Sequence, residues 1–205
     1  MLQEINPQNP KPEKIEQIVE VLKNGGIIVY PTDTIYGLGC DIFNKKAVAK
    51  IYQIKKREKK KPMSIICTDL KEIAKYAVIP DYAFMLLKKC LPGPYTFILK
   101  ARSQTPKTVL SKNKTVGIRI PDNKICLEIV KKLGNPIITT SLNISGQKVL
   151  TNPNQLTKEM SSKLDLIVDA GTLNQEPSSI IDLSSTVPII LRKGRGDLSL
   201  IKQYV

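Results

Sequence analysis

Histidine and tryptophan are absent from this sequence of 205 residues, and cysteine occurs four times. Histidine is the side chain that most often carries protons near neutral pH, so any chemistry here must rely on positioning, cations, hydroxyls or carboxylates. The cysteines, at positions 40, 67, 90 and 126, form no Cys-x-x-Cys pair. We therefore expect no metal site and four reduced thiols in a cytoplasmic protein.

Long apolar runs are also missing. No stretch approaches the roughly 18 apolar residues of a membrane span, and the first fourteen residues carry no apolar segment typical of a secretion signal. We find no internal repeat, low-complexity tract or linker. The length and this uniformity predict one domain over residues 1–205 with no membrane partner.

Acidic residues are outnumbered, with 18 Asp and Glu against 32 Lys and Arg, which gives a net charge of +14. Such a charge attracts RNA or smaller phosphate compounds such as nucleotides. A general bias of the sequence toward lysine, isoleucine and asparagine explains the global charge equally well. The run KKREKKK at 55–61 is more local, and it is either a solvated face or an anion-binding segment.

The apolar pattern predicts alternating helices and strands. Ile15, Ile18, Val19 and Leu22 share one helix face, and the following Asn-Gly-Gly ends that helix before a strand at 27–30. A second helix at 45–54 delivers the basic run at its end. Further strands are predicted at 63–67, 95–100, 115–120, 136–140, 166–168, 179–183 and 188–192, and further helices at 69–76, 81–90, 122–133 and 153–164. This alternation predicts an α/β fold with a twisted mixed sheet flanked by helices.

Four polar clusters lie where predicted strands end, which is where open α/β sheets place ligands. They are PTDT at 31–34, the basic run at 55–61, TVGIR at 115–119 and TTSLNISG at 139–146. Each could be structural, since PTD is a good turn and Ser or Asn side chains often satisfy loop backbone. Together they supply hydroxyls and amides for a small polar substrate and cations for a polyphosphate. Because no Walker-type glycine loop is present, side chains would hold the nucleotide.

Several segments resemble the YrdC/YciO family in order and spacing. They are IIVYPTDTIYGLG, IYQIKKREKKKPMSI, PGPYTFILKA, TVGIRIPDN, TTSLNISG, PSSIIDL and IILRKGRGD, and they extend from about residue 10 to the end. The Lys-x-Arg pair (Lys55, Arg57) and the Ser-x-Asn pair (Ser141, Asn143) make the resemblance specific. It implies a single YrdC-like domain with a basic concave pocket.

The resemblance also implies an activity. Enzymes of this family make L-threonylcarbamoyladenylate from threonine, bicarbonate and ATP, and the product serves the threonylcarbamoyladenosine modification of tRNA. ATP is a substrate that carries Mg²⁺, and threonylcarbamoyl transferase proteins are expected partners. Two anions, the carbamate and the triphosphate, must meet in such a site, so cations are required there.

Site residues follow from the matched motifs. Thr32, Arg119, the Thr139 backbone and Ser178 would bind threonine. Lys55 and Arg57 would be catalytic. The ATP side would comprise Lys55, Lys59, Thr115, Ser141, Asn143 and Arg192.

One position departs from the synthase pattern. Many synthases carry histidine in the strand after Lys-x-Arg, whereas Ile66 occupies the aligned position here, and PMSIICTDL resembles the YciO branch. A milder change is Ser179, where synthases usually have threonine. The alternative interpretation is a YciO-like protein that binds double-stranded RNA or tRNA, or associates with the ribosome, with weak or no synthase activity. Base stacking is a poor primary mode for it, because aromatic residues are few.

Overall fold

The computed structural model describes residues 1–58, 62–173 and 176–204. Within these ranges the helices are α1 (Pro12–Lys23), α2 (Lys45–Ile54), α3 (Leu70–Tyr76), α4 (Asp81–Cys90), α5 (Lys124–Leu133), α6 (Lys158–Ser161) and α7 (Ser199–Lys202). The strands are β1 (Leu2–Glu4), β2 (Ile28–Tyr30), β3 (Gly37–Gly39), β4 (Ser64–Ile66), β5 (Ala77–Val78), β6 (Tyr95–Ala101), β7 (Thr115–Arg119), β8 (Ile137–Ser141), β9 (Leu166–Asp169), β10 (Ser179–Asp182) and β11 (Ile189–Arg192). Among the described residues, no helix is long and apolar enough to cross a bilayer.

The strands form one mixed sheet in the order β1-β9-β2-β3-β8-β4-β7-β6-β10-β11, and β5 pairs with β6. Strand β9 is parallel to both β1 and β2, β4 is parallel to β7, and β6 is parallel to β10. The remaining pairs are antiparallel. The predicted α/β fold with a mixed sheet flanked by helices is confirmed.

Asparagine and aspartate caps begin three of the helices. The side chains of Asn44, Asp69 and Asn123 each accept a hydrogen bond from the backbone N–H three residues later. Such a bond satisfies one of the donors that a helix start leaves unpaired. At the other end of α5, Gly134 has φ of 78°, a left-handed conformation that glycine adopts without penalty.

The single helix predicted at 153–164 is wrong. A 3₁₀ turn at Pro153–Gln155 is separated from α6 by Leu156, whose backbone is extended. Two caps compete here, because Asn152 and Gln155 form a capping box and Thr157 caps α6 through the Met160 N–H. A second cap within five residues starts a new helix rather than continuing the first.

Helices cover the two sheet faces unequally. On one face, α2, α3 and α4 pack over strands β4, β6 and β7 in a large apolar cluster that includes Ile51, Ile65 and Phe97. On the other face, α1 and α5 pack together over β2, β8 and β9. The half of this second face formed by β6, β7 and β10 carries no such helix and borders a cavity, which is lined by Thr96, Gly117 and Asp182 as well as by Ile98 and Ile180.

Candidate active site

A cavity of about 500 Å³ lies on the uncovered half of the sheet. Side chains that alternate between the two faces of the strands form the floor of the cavity. On β7, Val116 and Ile118 point into the core while Gly117 and Arg119 face the cavity, and the same alternation places Thr96 of β6 on the cavity side. The loop after β2, the end of β8 and β11 complete the walls. The volume lies within the range of small-molecule sites.

Arg119 is the most constrained cation in this cavity. Its side chain is 7% exposed, and one terminal nitrogen donates to Asp33 Oδ1 at 2.7 Å and to Thr34 Oγ1 at 3.0 Å. Its Nε is buried and has no hydrogen-bond partner among the described residues. An unpaired buried donor is costly, and the guanidinium as a whole lines the cavity, where it favours an anionic ligand.

Thr32 shapes the loop that holds this arginine. Its hydroxyl accepts the backbone N–H groups of Thr34 at 3.1 Å and Ile35 at 3.2 Å, and it donates to the Ile35 carbonyl at 2.6 Å. These bonds fold the chain back within four residues. Thr32 lines the cavity as predicted by its motif, and the turn carries Asp33 and Thr34 to Arg119.

Ser178 and Arg192 meet at the opposite wall. The guanidinium of Arg192 donates to the Ser178 carbonyl at 2.7 and 3.1 Å, and the Ser178 hydroxyl lies 2.8 Å from the Thr96 hydroxyl. Burial lowers the pKa of Arg192, and the charge of Arg119 lowers it as well. The two guanidinium groups are therefore close enough for their charges to repel. Both groups line the cavity with Thr139; Asp33 balances the charge of Arg119, and the charge of Arg192 favours an anionic ligand.

The Ser-x-Asn loop is built around the buried Lys55. Lys55 Nζ donates to Asn143 Oδ1 at 2.9 Å, to the Asn143 carbonyl at 3.0 Å and to the Ser141 carbonyl. Ser141 Oγ donates to Asn143 Oδ1 at 2.6 Å, and Asn143 Nδ2 donates to the Gln147 carbonyl at 2.6 Å. This network holds Ser141 and Asn143 at the cavity wall.

Lys55 itself does not line the cavity. The residue is 1% exposed and lies behind Ser141 and Asn143. Its catalytic and ATP-binding roles stay predictions. Burial and, to a smaller extent, the charge of Arg57 together lower the pKa of Lys55 to about 7. The surrounding acceptor oxygens favour the ammonium, whereas burial favours the neutral amine.

Three further predicted residues complete the comparison. Arg57, predicted to be catalytic, lines the cavity and donates to the Pro62 carbonyl at 3.0 Å, and burial lowers its pKa. Thr115 lines the cavity, with its hydroxyl 2.7 Å from the Ser111 hydroxyl. Lys59 lies outside the described residues.

Sequence reasoning missed several cavity residues. Thr96, Ser111, Asn113 and Asp182 line the cavity, and Asp33 is the carboxylate partner of Arg119. The strand period offered a signal for Thr96 and Asp182, since each alternates with buried apolar neighbours. Among the described residues, no group of three or more His, Cys, Asp or Glu could hold a metal ion.

Ile66, at the position aligned with the synthase histidine, is fully buried. It pairs with Arg119 of β7 and Ile137 of β8, and it packs in the apolar cluster beneath α1 and α5. It does not line the cavity. The last residue of β4 therefore contributes no polar side chain to the cavity.

Comparisons with known proteins identify the family of this chain. The family model Sua5_yciO_yrdC, described as "Telomere recombination", matches residues 20–194. The YciO protein of Escherichia coli is 38% identical over 196 residues, which cover 95% of each chain. A threonylcarbamoyl-AMP synthase of Pyrococcus abyssi is 30% identical over 194 residues, covering 94% of this chain and 57% of that protein.

Two solved structures share the fold closely. The crystal structure of E. coli YciO superposes with a TM-score of 0.93 at 37% identity, covering 98% of each chain. That of P. abyssi Sua5 complexed with L-threonine gives a TM-score of 0.92 at 28% identity, covering 99% of this chain and 60% of that one.

Proposed function

Because the chain belongs to the Sua5/YciO/YrdC family, we propose that it synthesises L-threonylcarbamoyladenylate from threonine, bicarbonate and ATP. Pyrophosphate is the second product. The mixed anhydride supplies the threonylcarbamoyl group for tRNA modification, and a threonylcarbamoyl transferase protein consumes it. A relative of the same fold binds L-threonine, which supports threonine as the amino-acid substrate.

The buried guanidinium of Arg119 is the observation that carries this proposal. Arg119 lines the cavity beside Thr32, Thr139 and Ser178, at the end of the cavity assigned to threonine. A carboxylate is the anion that matches a guanidinium donor. The α-carboxylate of threonine would therefore lie against Arg119, while the serine and threonine side chains and backbone oxygens surround its polar groups.

The rest of the cavity suits a nucleotide triphosphate. Arg57 and Arg192 supply positive charge, and Ser141, Asn143 and Thr115 supply hydroxyl and amide groups. The threonine amine adds to CO₂ derived from bicarbonate and loses a proton, which gives a carbamate. A carbamate oxygen then forms a bond to the α-phosphorus as the bond to the β-phosphate oxygen breaks. The arginines reduce the repulsion between these anions, and positioning supplies much of the remaining acceleration.

Magnesium would enter with the triphosphate. It supplies charge stabilisation of the leaving pyrophosphate. Asp182 is a carboxylate on the cavity wall, with Oδ1 accepting the Ser184 N–H at 2.8 Å. Its other oxygen would suit a magnesium-bound water better than a phosphate oxygen, because two anions repel.

Calorimetric titration tests the amino-acid site. We expect L-threonine to bind, and L-threoninamide, which lacks the carboxylate, to bind at least about tenfold more weakly, equivalent to about 1.4 kcal/mol. Equal binding of the two compounds would contradict the role of Arg119, and no binding of threonine with or without ATP would contradict the proposed substrate.

RNA binding is a second candidate function, favoured by the net charge of +14 and by the apolar Ile66 at the synthase histidine position. Filter binding of double-stranded RNA and tRNA between 50 and 300 mM salt would test it. Phosphate contacts predict an affinity that falls steeply with salt. Salt-insensitive or undetectable binding would contradict this candidate.

A further inference from the structure

The loop that follows β11 lies tightly against the cavity wall. Arg195 N–H donates to the Pro177 carbonyl at 2.9 Å, and the Gly194 N–H donates to Ser179 Oγ at 3.0 Å. A Cβ at Gly194 would collide with the Pro177 carbonyl and the Ser178 backbone. Residues 194–196, which we call the strap, are thus fixed directly behind Ser178.

From this position the Arg195 side chain reaches the loop after β2. Its terminal nitrogen donates to the Asp33 carbonyl at 2.5 Å. The carboxylate of Asp33 is held separately, with Oδ1 accepting from Arg119 and Oδ2 accepting the Asp122 N–H at 3.3 Å. Of these three contacts to Asp33, the one made by Arg195 connects Asp33 to the strap.

We propose that Arg195 is a positioning residue that fixes the distance between Thr32 and Ser178 across the amino-acid end of the cavity. Arg195 does not line the cavity, so it acts through Asp33 and the strap rather than by touching substrate. Thr32 and Ser178 belong to opposite walls that are otherwise joined through the sheet. The effect of Arg195 on threonine affinity rests on the proposed function. The effect of Arg195 on the loop after β2 does not.

The proposal predicts two effects of Arg195→Ala. Hydrogen exchange at the Thr34 and Ile35 amides, which bond to Thr32 Oγ1, should accelerate at least about threefold, because the loop loses one anchor. The threonine KM should rise at least about threefold while kcat and the ATP KM change little, because the nucleotide end keeps its contacts.

Three variants make the test specific. Lys193→Ala removes the same charge from a neighbouring exposed residue that is not bonded to Asp33 within the described part of the chain, and it should leave exchange and KM unchanged. Arg195→Lys retains a cationic donor and should recover part of the loss. Arg195→Met keeps the aliphatic part of the side chain and replaces the alanine variant in both measurements if that variant folds poorly.

Unchanged amide exchange in both Arg195→Ala and Arg195→Met would overturn the proposal, whatever the enzyme does. Equal increases in the threonine and ATP KM values would also overturn it, since they would show a general loss of structure. If the parent protein does not bind threonine, the proposed function fails, and the exchange measurement still decides the role of Arg195.

Discussion

The two buried cations, Arg119 and Lys55, differ in where they lie relative to the cavity. Lys55 is surrounded by acceptors from Ser141 and Asn143 and does not line the cavity, whereas Arg119 lines it. A buried cation that is enclosed by acceptors organises its neighbours, and one at a cavity wall is available to a ligand. We therefore propose that Lys55 supports the Ser-x-Asn loop and that Arg119 binds substrate.

Arg119→Lys tests the directed donor. The variant keeps the charge opposite Asp33, but an ammonium cannot hold Asp33 and Thr34 and also present a third group toward the cavity in the same geometry. We expect the threonine Kd to rise at least about tenfold, or about 1.4 kcal/mol. Calorimetry on folded protein measures it, with Arg102→Lys, an exposed arginine, as control. Unchanged threonine affinity in Arg119→Lys would contradict this assignment.

Lys55 predicts a pH dependence of stability. Its pKa is about 7 in the folded protein and about 10.4 when unfolded. Between these values the unfolded chain binds more protons at this residue, so its contribution to the free energy of unfolding rises with pH. Below pH 7 the lysine is charged in both states and the burial cost is complete.

Urea denaturation at pH 6, 7, 8 and 9 measures this effect. The stability of the parent relative to Lys55→Met should rise from pH 7 to pH 9. The variant also leaves acceptors at Asn143 unpaired, which lowers stability at every pH by roughly 1 to 3 kcal/mol. Parallel pH profiles for the two proteins would show that Lys55 keeps an ordinary pKa.

Single residues differ in how well the sequence predicts their place. The motifs place Thr32, Arg119, Ser141, Asn143 and Ser178 at a strand end or loop, and the structure brings them to one cavity. Motif spacing does not report which way a long side chain points at a helix end. The burial of Lys55 depends on acceptors 86 to 88 residues away, so a local pattern could not predict it.

At the scale of elements, strand β3 shows why the sequence prediction missed part of the sheet. Its sequence, Gly-Leu-Gly, has little intrinsic strand preference. It forms because it pairs with β2 on one side and β8 on the other. Glycine also leaves room for the Tyr30 side chain to pack against it. The helices and longer strands were predictable because their apolar periods and caps are local, and helix 153–164 failed because two caps lie close together.

Gly39→Ala tests this close packing. A Cβ there would meet the Ile138 carbonyl oxygen, which belongs to the sheet ladder, and would lie 2.8 Å from the Tyr30 ring. We expect a loss of roughly 1 to 3 kcal/mol, or about 2 to 4 °C in Tm per kcal/mol. In Gly37→Ala the three atoms nearest to the new Cβ all belong to the Tyr30 side chain rather than to backbone, so a smaller loss is expected. Calorimetric melting compares them, and an equal Tm for Gly39→Ala and the parent would contradict the packing argument.

At the scale of the whole molecule, the cavity exists because helices cover only half of one sheet face. α1 and α5 pack over β2, β8 and β9, and the uncovered strands β6, β7 and β10 line the cavity with polar residues, glycine and isoleucine. Binary alternation along the strands predicts which residues face outward, but not which part of the sheet a helix leaves open. The pocket therefore depends on topology, which the sequence pattern alone does not define.

The synthase proposal is tested most directly by pyrophosphate release from Mg²⁺-ATP by the purified protein. The account predicts release that requires both threonine and bicarbonate, and that falls at least about tenfold in Arg119→Lys, equivalent to about 1.4 kcal/mol of transition-state stabilisation. Pyrophosphate release that is absent, or that is the same with and without threonine, would contradict it.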